Sequence, residues 1–226
     1  MTTTPQTNAD DRDQAALTRR SFLYRGGVLT AAGAVAGSVA LSTDAAAQGL
    51  GDGQTRQNFR DIQQHENDHV AFLVSALGAS ARPKPTFKGL LQRNRRAFFD
   101  VSQALENTGV GAYLGAAPVI FNRGYLAAAG SIALIEARHA GWLNTLVNDP
   151  LTADVFGQVQ SFDTALTVDQ VVSLAGPFIA DLNGGPPLTF STTPSAANDL
   201  AILNFALALE YLEAEFYNLN VPEFIK

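Results

Sequence analysis

The sequence contains no cysteine, and its single methionine is Met1. Disulfides, thiolate zinc sites and iron–sulfur clusters are thereby excluded, as is a methionine-ligated haem. Any metal must be held by oxygen and nitrogen. Basic charge is also scarce: 15 Lys and Arg stand against 21 Asp and Glu, for a net charge of -6. No Lys/Arg stripe could track phosphates, and Arg93, Arg95 and Arg96 read as a solvated helix end, so nucleic acid is excluded as a partner. What remains is an apolar-rich chain of 226 residues, 46% hydrophobic, long enough for one well-packed domain.

Residues 1–47 read as an export signal. Thr18-Arg19-Arg20-Ser21-Phe22-Leu23 is a twin-arginine motif, followed by a weakly apolar run from Gly26 to Leu41. Ala45-Ala46-Ala47 then forms a small-residue cleavage pattern that leaves Gln48 as the mature start. A membrane anchor is the competing reading. The run is short for a span and ends in a cleavable pattern, so the expectation is a periplasmic or extracytoplasmic protein without stable membrane insertion after cleavage. Twin-arginine export moves folded proteins, which suits a cofactor loaded in the cytoplasm.

Residues 48–226 form the mature domain, and their apolar spacing is helical. The expected helices are Thr55 to Leu77, Asn94 or Arg95 to Tyr113, Gly124 to Val147 and Asn198 to Asn218. A short helix opens at Thr167-Val168-Asp169-Gln170, with Thr167 as a plausible cap. Gly78 and Pro118 end the first two, and Asn148-Asp149-Pro150 ends the third. The third is Ala-rich and apolar on nearly every side, which reads as buried. Residues 151–197 form a crossover and linker. No strand is expected, so the fold class is all-α.

Chemistry concentrates on four helices. Glu66-Asn67-Asp68-His69 lies on the first and Glu136-Ala137-Arg138-His139 on the third. Positions i and i+3 share a helix face, so each motif offers one carboxylate and one imidazole to a common point. Glu106 precedes Tyr113 by seven residues, and Glu210 precedes Tyr217 by seven. Two turns place each tyrosine on its glutamate's face. The chain thus holds two copies of a pair, one helix with Glu-x6-Tyr and one with Glu-x-x-His, which points to a pseudo-twofold bundle.

With seven Glu and three His, random placement yields only about 0.1 Glu-x-x-His matches in such a chain. Glu210 sits within Leu207-Ala208-Leu209-Glu210-Tyr211-Leu212, where a core-facing carboxylate is costly unless paired or bound to a cation. Four converging carboxylates cannot all stay ionised without cations. Two metals resolve both problems, and this donor set favours iron or manganese, with zinc left open. Taken singly, each residue has a bland reading: a satisfied helix histidine, a surface ion pair for Glu136, an ordinary core hydroxyl. His65 falls off the Glu66/His69 face and reads as exposed or lying behind the ligands, and Glu213 remains ambiguous because it follows Glu210 by three residues.

These motifs, with Ile202 to Tyr217, Glu66 to His69, Glu106 to Tyr113 and Glu136 to Trp142, resemble the ferritin-like superfamily. The resemblance is to the branch of bacterial ferritin-like and desiccation-related proteins. It implies a ferritin-like four-helix bundle with an additional short helix and long crossover connections, holding two Fe or two Mn ions. Glu106 and Glu210 would be terminal ligands, Glu66 and Glu136 bridging ones, and His69 and His139 would each cap one metal. Tyr113 and Tyr217 would act beside the metals as hydrogen-bond donors, and they are the candidate catalytic residues. The helix order departs from the family: the Leu-Glu-Tyr-Leu-Glu-Ala-Glu-Phe-Tyr helix comes last rather than first. The chain therefore reads as circularly permuted, or as a dimer or higher homo-oligomer with that helix swapped.

Two functional readings stand. One is a redox enzyme acting on a small-molecule oxidant or a metal ion, by peroxide dismutation or ferroxidation. The other is a non-enzymatic stress or desiccation protein whose metals stabilise the fold. A metal-free structural bundle is the third possibility.

Overall fold

The computed structural model describes residues 52–226, so the export-signal reading lies outside the described residues. Five α-helices follow one another: α1 (Asp52–Leu77), α2 (Arg95–Ala116), α3 (Arg123–Leu146), α4 (Val168–Ala175) and α5 (Ala196–Phe224). Local chemistry sets their starts. Asn94 accepts from Ala97 N, Asn122 from Gly124 N and Tyr125 N, and Thr167 with Gln170 forms a complete capping box. α5 begins earlier than its Asn/Asp pair suggests. Ser195 is the cap, and Asn198 instead bonds the backbone of Ser191 through both ends of its amide.

The helices pair antiparallel, α1 with α5 and α2 with α3. Gln63 meets Asn218 near one end of the first pair, while Leu73 and Leu77 pack on Leu203 and Leu207 toward the other. In the second pair, Gln103 and Asn107 meet Asn144, and Ala116 packs near Ala129. Aromatic rings knit the pairs together. Phe98 of α2 lies 4.8 Å from Phe59 of α1 and 5.6 Å from Phe216 of α5, centroid to centroid. Each such buried ring contributes about 1.5–3 kcal/mol.

α5 packs on α1 and is held to three connectors by polar side chains. Asp199 accepts from Phe121 N and Asn122 N at 2.7 and 2.8 Å. Asn204 accepts from Arg82 N and donates to Ser80 O, and Asn220 bonds Gln92 N and Leu90 O. These bonds fix the axial position of α5 against the other helices, and with it the height of Glu210.

Residues 147–195 cross back along the flank of α2. Leu166 N donates to Gly111 O at 2.9 Å. A Cβ on Gly111 would lie 2.5 Å from Leu166 Cγ, and one on Gly115 would collide with the Leu166 carbonyl. The two glycines let the crossover backbone reach the helix, and Val171 and Ala175 of α4 then complete the main core.

Two expectations are corrected. A short antiparallel pair does form, β1 (Thr86–Phe87) with β2 (Ile179–Asp181), too brief for any alternation to announce it. Nor is α3 buried all round: Leu126, Ala127, Gly130, Leu134 and Ala137 are exposed, Leu134 at 64%. Apolar residues run all round it, and Arg123, Ser131, Arg138 and Thr145 mark the outer face only sparsely. Among the described residues no helix is long and apolar enough to cross a membrane.

Candidate metal centre

The structure brings all six sequence-predicted ligands to one point. α1 supplies Glu66 and His69, α2 Glu106, α3 Glu136 and His139, and α5 Glu210. The four carboxylates are no more than 1% exposed. They fall into two four-residue groups, Glu66/His69/Glu136/Glu210 and Glu66/Glu106/Glu136/His139, with the donor atoms of each group within 4.8 Å of one another. Glu66 and Glu136 belong to both groups. The remaining carboxylate and imidazole are private to one half each.

The donor geometry suits cations better than protons. His69 Nδ1 lies 3.0 Å from Glu66 Oε2, 3.2 Å from Glu210 Oε2 and 3.3 Å from Glu136 Oε1. One ring nitrogen carries at most one proton and cannot satisfy three carboxylates. His139 Nδ1 likewise sits 3.1 Å from Glu66 Oε1 and 3.0 Å from Glu106 Oε2. Even so, Glu66 Oε1 and both oxygens of Glu136 are buried without any hydrogen bond. Buried polar atoms are rarely left orphaned. Here the orphans belong to the two shared glutamates.

Electrostatics point the same way. Burial and the neighbouring Glu66 and Glu106 charges push Glu136 well above the usual carboxylate range, and burial beside the same cluster raises Glu213 too. Burial raises Glu210 to about 7, against the lowering effect of its bond to His69. Burial also works against Glu66, but the facing His139 and His69 imidazoles outweigh it and hold Glu66 down to about 2. Burial opposes a charge on His139, yet Glu106 and Glu66 lift it to about 11, and Glu136, Glu210 and Glu66 lift His69 in the same direction.

Both tyrosines reach the site, each crossing to the opposite helix rather than serving its own. Tyr113 of α2 donates to Glu210 Oε1 on α5. Tyr217 of α5 donates to Glu106 Oε1 on α2 at 2.6 Å. Burial raises both phenols well above their ordinary value, so they stay donors. The seven-residue spacing placed them on the right face without revealing the cross-connection.

Three further residues matter. His65 Nδ1 lies 2.9 Å from His139 Nε2 with the two rings nearly parallel, so His65 holds the edge of His139 turned away from the carboxylates. Its place off the ligand face of α1 gave half of this. Gly109 makes room for Glu136: a Cβ there would lie 2.6 Å from Glu136 Oε2. A mid-helix glycine three residues after Glu106 was the available signal. Glu213 resolves as buried beside Glu136 but outside both ligand groups.

No curated protein and no solved structure matches this chain. A family model described as a ferritin-like domain matches residues 28–149, more than half of the sequence, spanning α1 to α3 and leaving α5 outside. With its carboxylate- and histidine-lined helical core, the chain belongs to the ferritin-like domain family.

Proposed function

We propose that this protein holds two divalent metal ions, iron or manganese, in the bundle core and uses them in redox chemistry with peroxide, dioxygen or Fe(II). The observation that carries this reading is the set of orphaned oxygens on Glu66 and Glu136, the only two residues common to both donor groups. Glu66 and Glu136 would be shared by the two ions. Glu210 and His69 would complete one half, and Glu106 and His139 the other.

Bound iron or manganese would supply the electrons that reduce a small oxidant. The chain's own part is positional. Tyr113 and Tyr217 orient the terminal carboxylates by donating to them, and His65 fixes His139 with Nδ1 toward the ligands. The aromatic core around Phe98 and Phe216 excludes water and strengthens each of these interactions. Elemental analysis of the purified protein tests the reading: about two ions of iron or manganese per chain are expected, and absence of both from wild type would defeat it.

A second reading, that the metals are structural, draws support from the closure of the site, whose carboxylates have almost no solvent contact. On that reading chelation lowers the melting temperature while Fe(II) oxidation and peroxide consumption stay at background. We also propose export through the twin-arginine signal, placement in the bacterial ferritin-like and desiccation-related branch, and a permuted helix order. The permutation is supported by the antiparallel packing of α5 on α1, which brings the end of α5 beside the start of α1.

A further inference from the structure

We infer that an apolar cavity beside Tyr113 is a binding pocket for dioxygen, serving the Glu210 half of the centre; this deepens the two-metal reading and rests on it. The cavity has a volume of about 20 Å³ and is walled by Tyr113, Ala129, Phe190, Ile202, Ala206 and Leu209, among other apolar side chains. Tyr113 carries the only side-chain heteroatom of the lining. Its hydroxyl is committed to Glu210 Oε1, and Leu209 directly precedes that glutamate. The cavity therefore abuts the Glu210 half of the centre.

Size and chemistry select the occupant. A water needs about 10–15 Å³ and two to four polar partners. This space is large enough, but it offers no free partner, so it disfavours water and peroxide, which would surrender hydrogen bonds on entry. Dry apolar cavities take up small apolar gases instead. A volume near 20 Å³ admits a diatomic and excludes an organic substrate of any length. The cavity exists because α2, α3 and α5 present alanines there, namely Ala112, Ala116, Ala129 and Ala206.

The corresponding tyrosine of the other half is packed differently. Tyr217 is fully buried, with Phe216 at 5.4 Å and Phe98 at 6.1 Å between ring centroids. The pseudo-twofold is thus broken in the packing around the two tyrosines. Phe190 comes from the crossover, and its ring meets Phe205 edge-on at 5.3 Å, so the crossover forms one wall.

The test uses xenon on crystals of the full chain, with and without metal. Expected is one xenon peak among Tyr113, Ala129, Ala206 and Leu209 in both. Ala129→Leu should abolish the peak and slow Fe(II) oxidation by dioxygen at least tenfold, leaving oxidation by hydrogen peroxide within twofold of wild type. Should Ala129→Leu fail to fold, Ala206→Val carries the same comparison. Absence of xenon from the cavity overturns the inference. So do an unchanged dioxygen rate in a xenon-excluding variant, and equal slowing of both oxidants. Failure of the underlying two-metal reading appears separately, as a wild-type protein without bound metal whatever the xenon map contains.

Discussion

Around His139, Glu106 and Tyr217, every group is held from behind: Tyr217 is fully buried among aromatic rings, and His65 meets His139 nitrogen to nitrogen at 2.9 Å. Around His69, Glu210 and Tyr113, packing is looser. Tyr113 is half-buried, an apolar cavity lies beside it, and His69 Nε2 has no protein hydrogen-bond partner among the described residues. The ligand residue types are the same in both halves. The difference teaches that an internal repeat can reproduce a donor set while its supporting residues diverge, leaving one half clamped and the other approachable. In the repeat His65 aligns with Ile135, so the clamp has no counterpart.

The largest effect should come from the shared ligands. Glu66→Ala should take bound metal from two ions per chain to none, whereas Glu210→Ala should leave one; elemental analysis reads both. Equal losses from the two variants would erase the distinction between shared and private ligands. Metal held a thousandfold above its Kd stabilises the native state by about 4 kcal/mol. Chelation should then lower Tm by roughly 8–16 °C, measured by calorimetry.

Next is His65→Ala. Loss of an outer partner typically weakens a metal site by about 10–100-fold, and here only the His139 half should suffer. A metal titration of the variant should split into one wild-type and one weakened phase. Parallel weakening of both phases would mean the clamp acts on the whole bundle.

The pH response of the metal-free chain should be opposite in sign to the usual gain on leaving acid. Glu210 is raised to about 7, so stability tied to its protonated form is lost as pH rises from about 4.5 through 7. His139 is raised to about 11, so its contribution is full below about 6.5 and is lost as pH climbs toward 11. Glu66, lowered to about 2, contributes above 4.5 and loses that only as pH falls below it. Urea midpoints at pH 5, 7 and 9 should therefore fall for metal-free protein, whereas metal-loaded protein, whose ligands carry no protons, should gain stability from pH 5 to 7. A metal-free midpoint that rises from pH 5 to 9 contradicts the protonation pattern.

The smallest effect separates the tyrosines. Tyr217→Phe strands a buried Glu106 oxygen and should cost about 1–3 kcal/mol. Tyr113→Phe, where the phenol is half-buried and an apolar cavity lets the packing relax, should cost less, about 1 kcal/mol. Denaturant midpoints of the metal-free variants give the order, and a reversed order would deny the difference in closure.

The four long helices and the six residues that converge between them were legible because helical spacing, caps and paired Glu-x-x-His motifs are local in sequence. Thr167 and Gln170 announced α4 for the same reason. What lay hidden depends on contacts between distant segments. The crossing of Tyr113 to Glu210 and of Tyr217 to Glu106 is a property of helix pairing. The strand pair at Thr86–Phe87 is too short to carry a pattern, and the open face of α3 sets only Ser131, Arg138 and Thr145 among exposed Leu, Ala and Gly, a weak mark against an apolar helix. Gly109 had a visible signal, a glycine where a helix prefers alanine, whose meaning needed Glu136 from another helix.

Crystals of the protein grown with Mn(II) or Fe(II), with anomalous data collected at the metal edge, test the central claim most directly. The account predicts two peaks about 3.5–4 Å apart, as in other paired metal sites, both touching Glu66 and Glu136, one next to His69 and the other next to His139. A single peak, or metal bound only at surface carboxylates with the Glu66/Glu136 core empty, would contradict it.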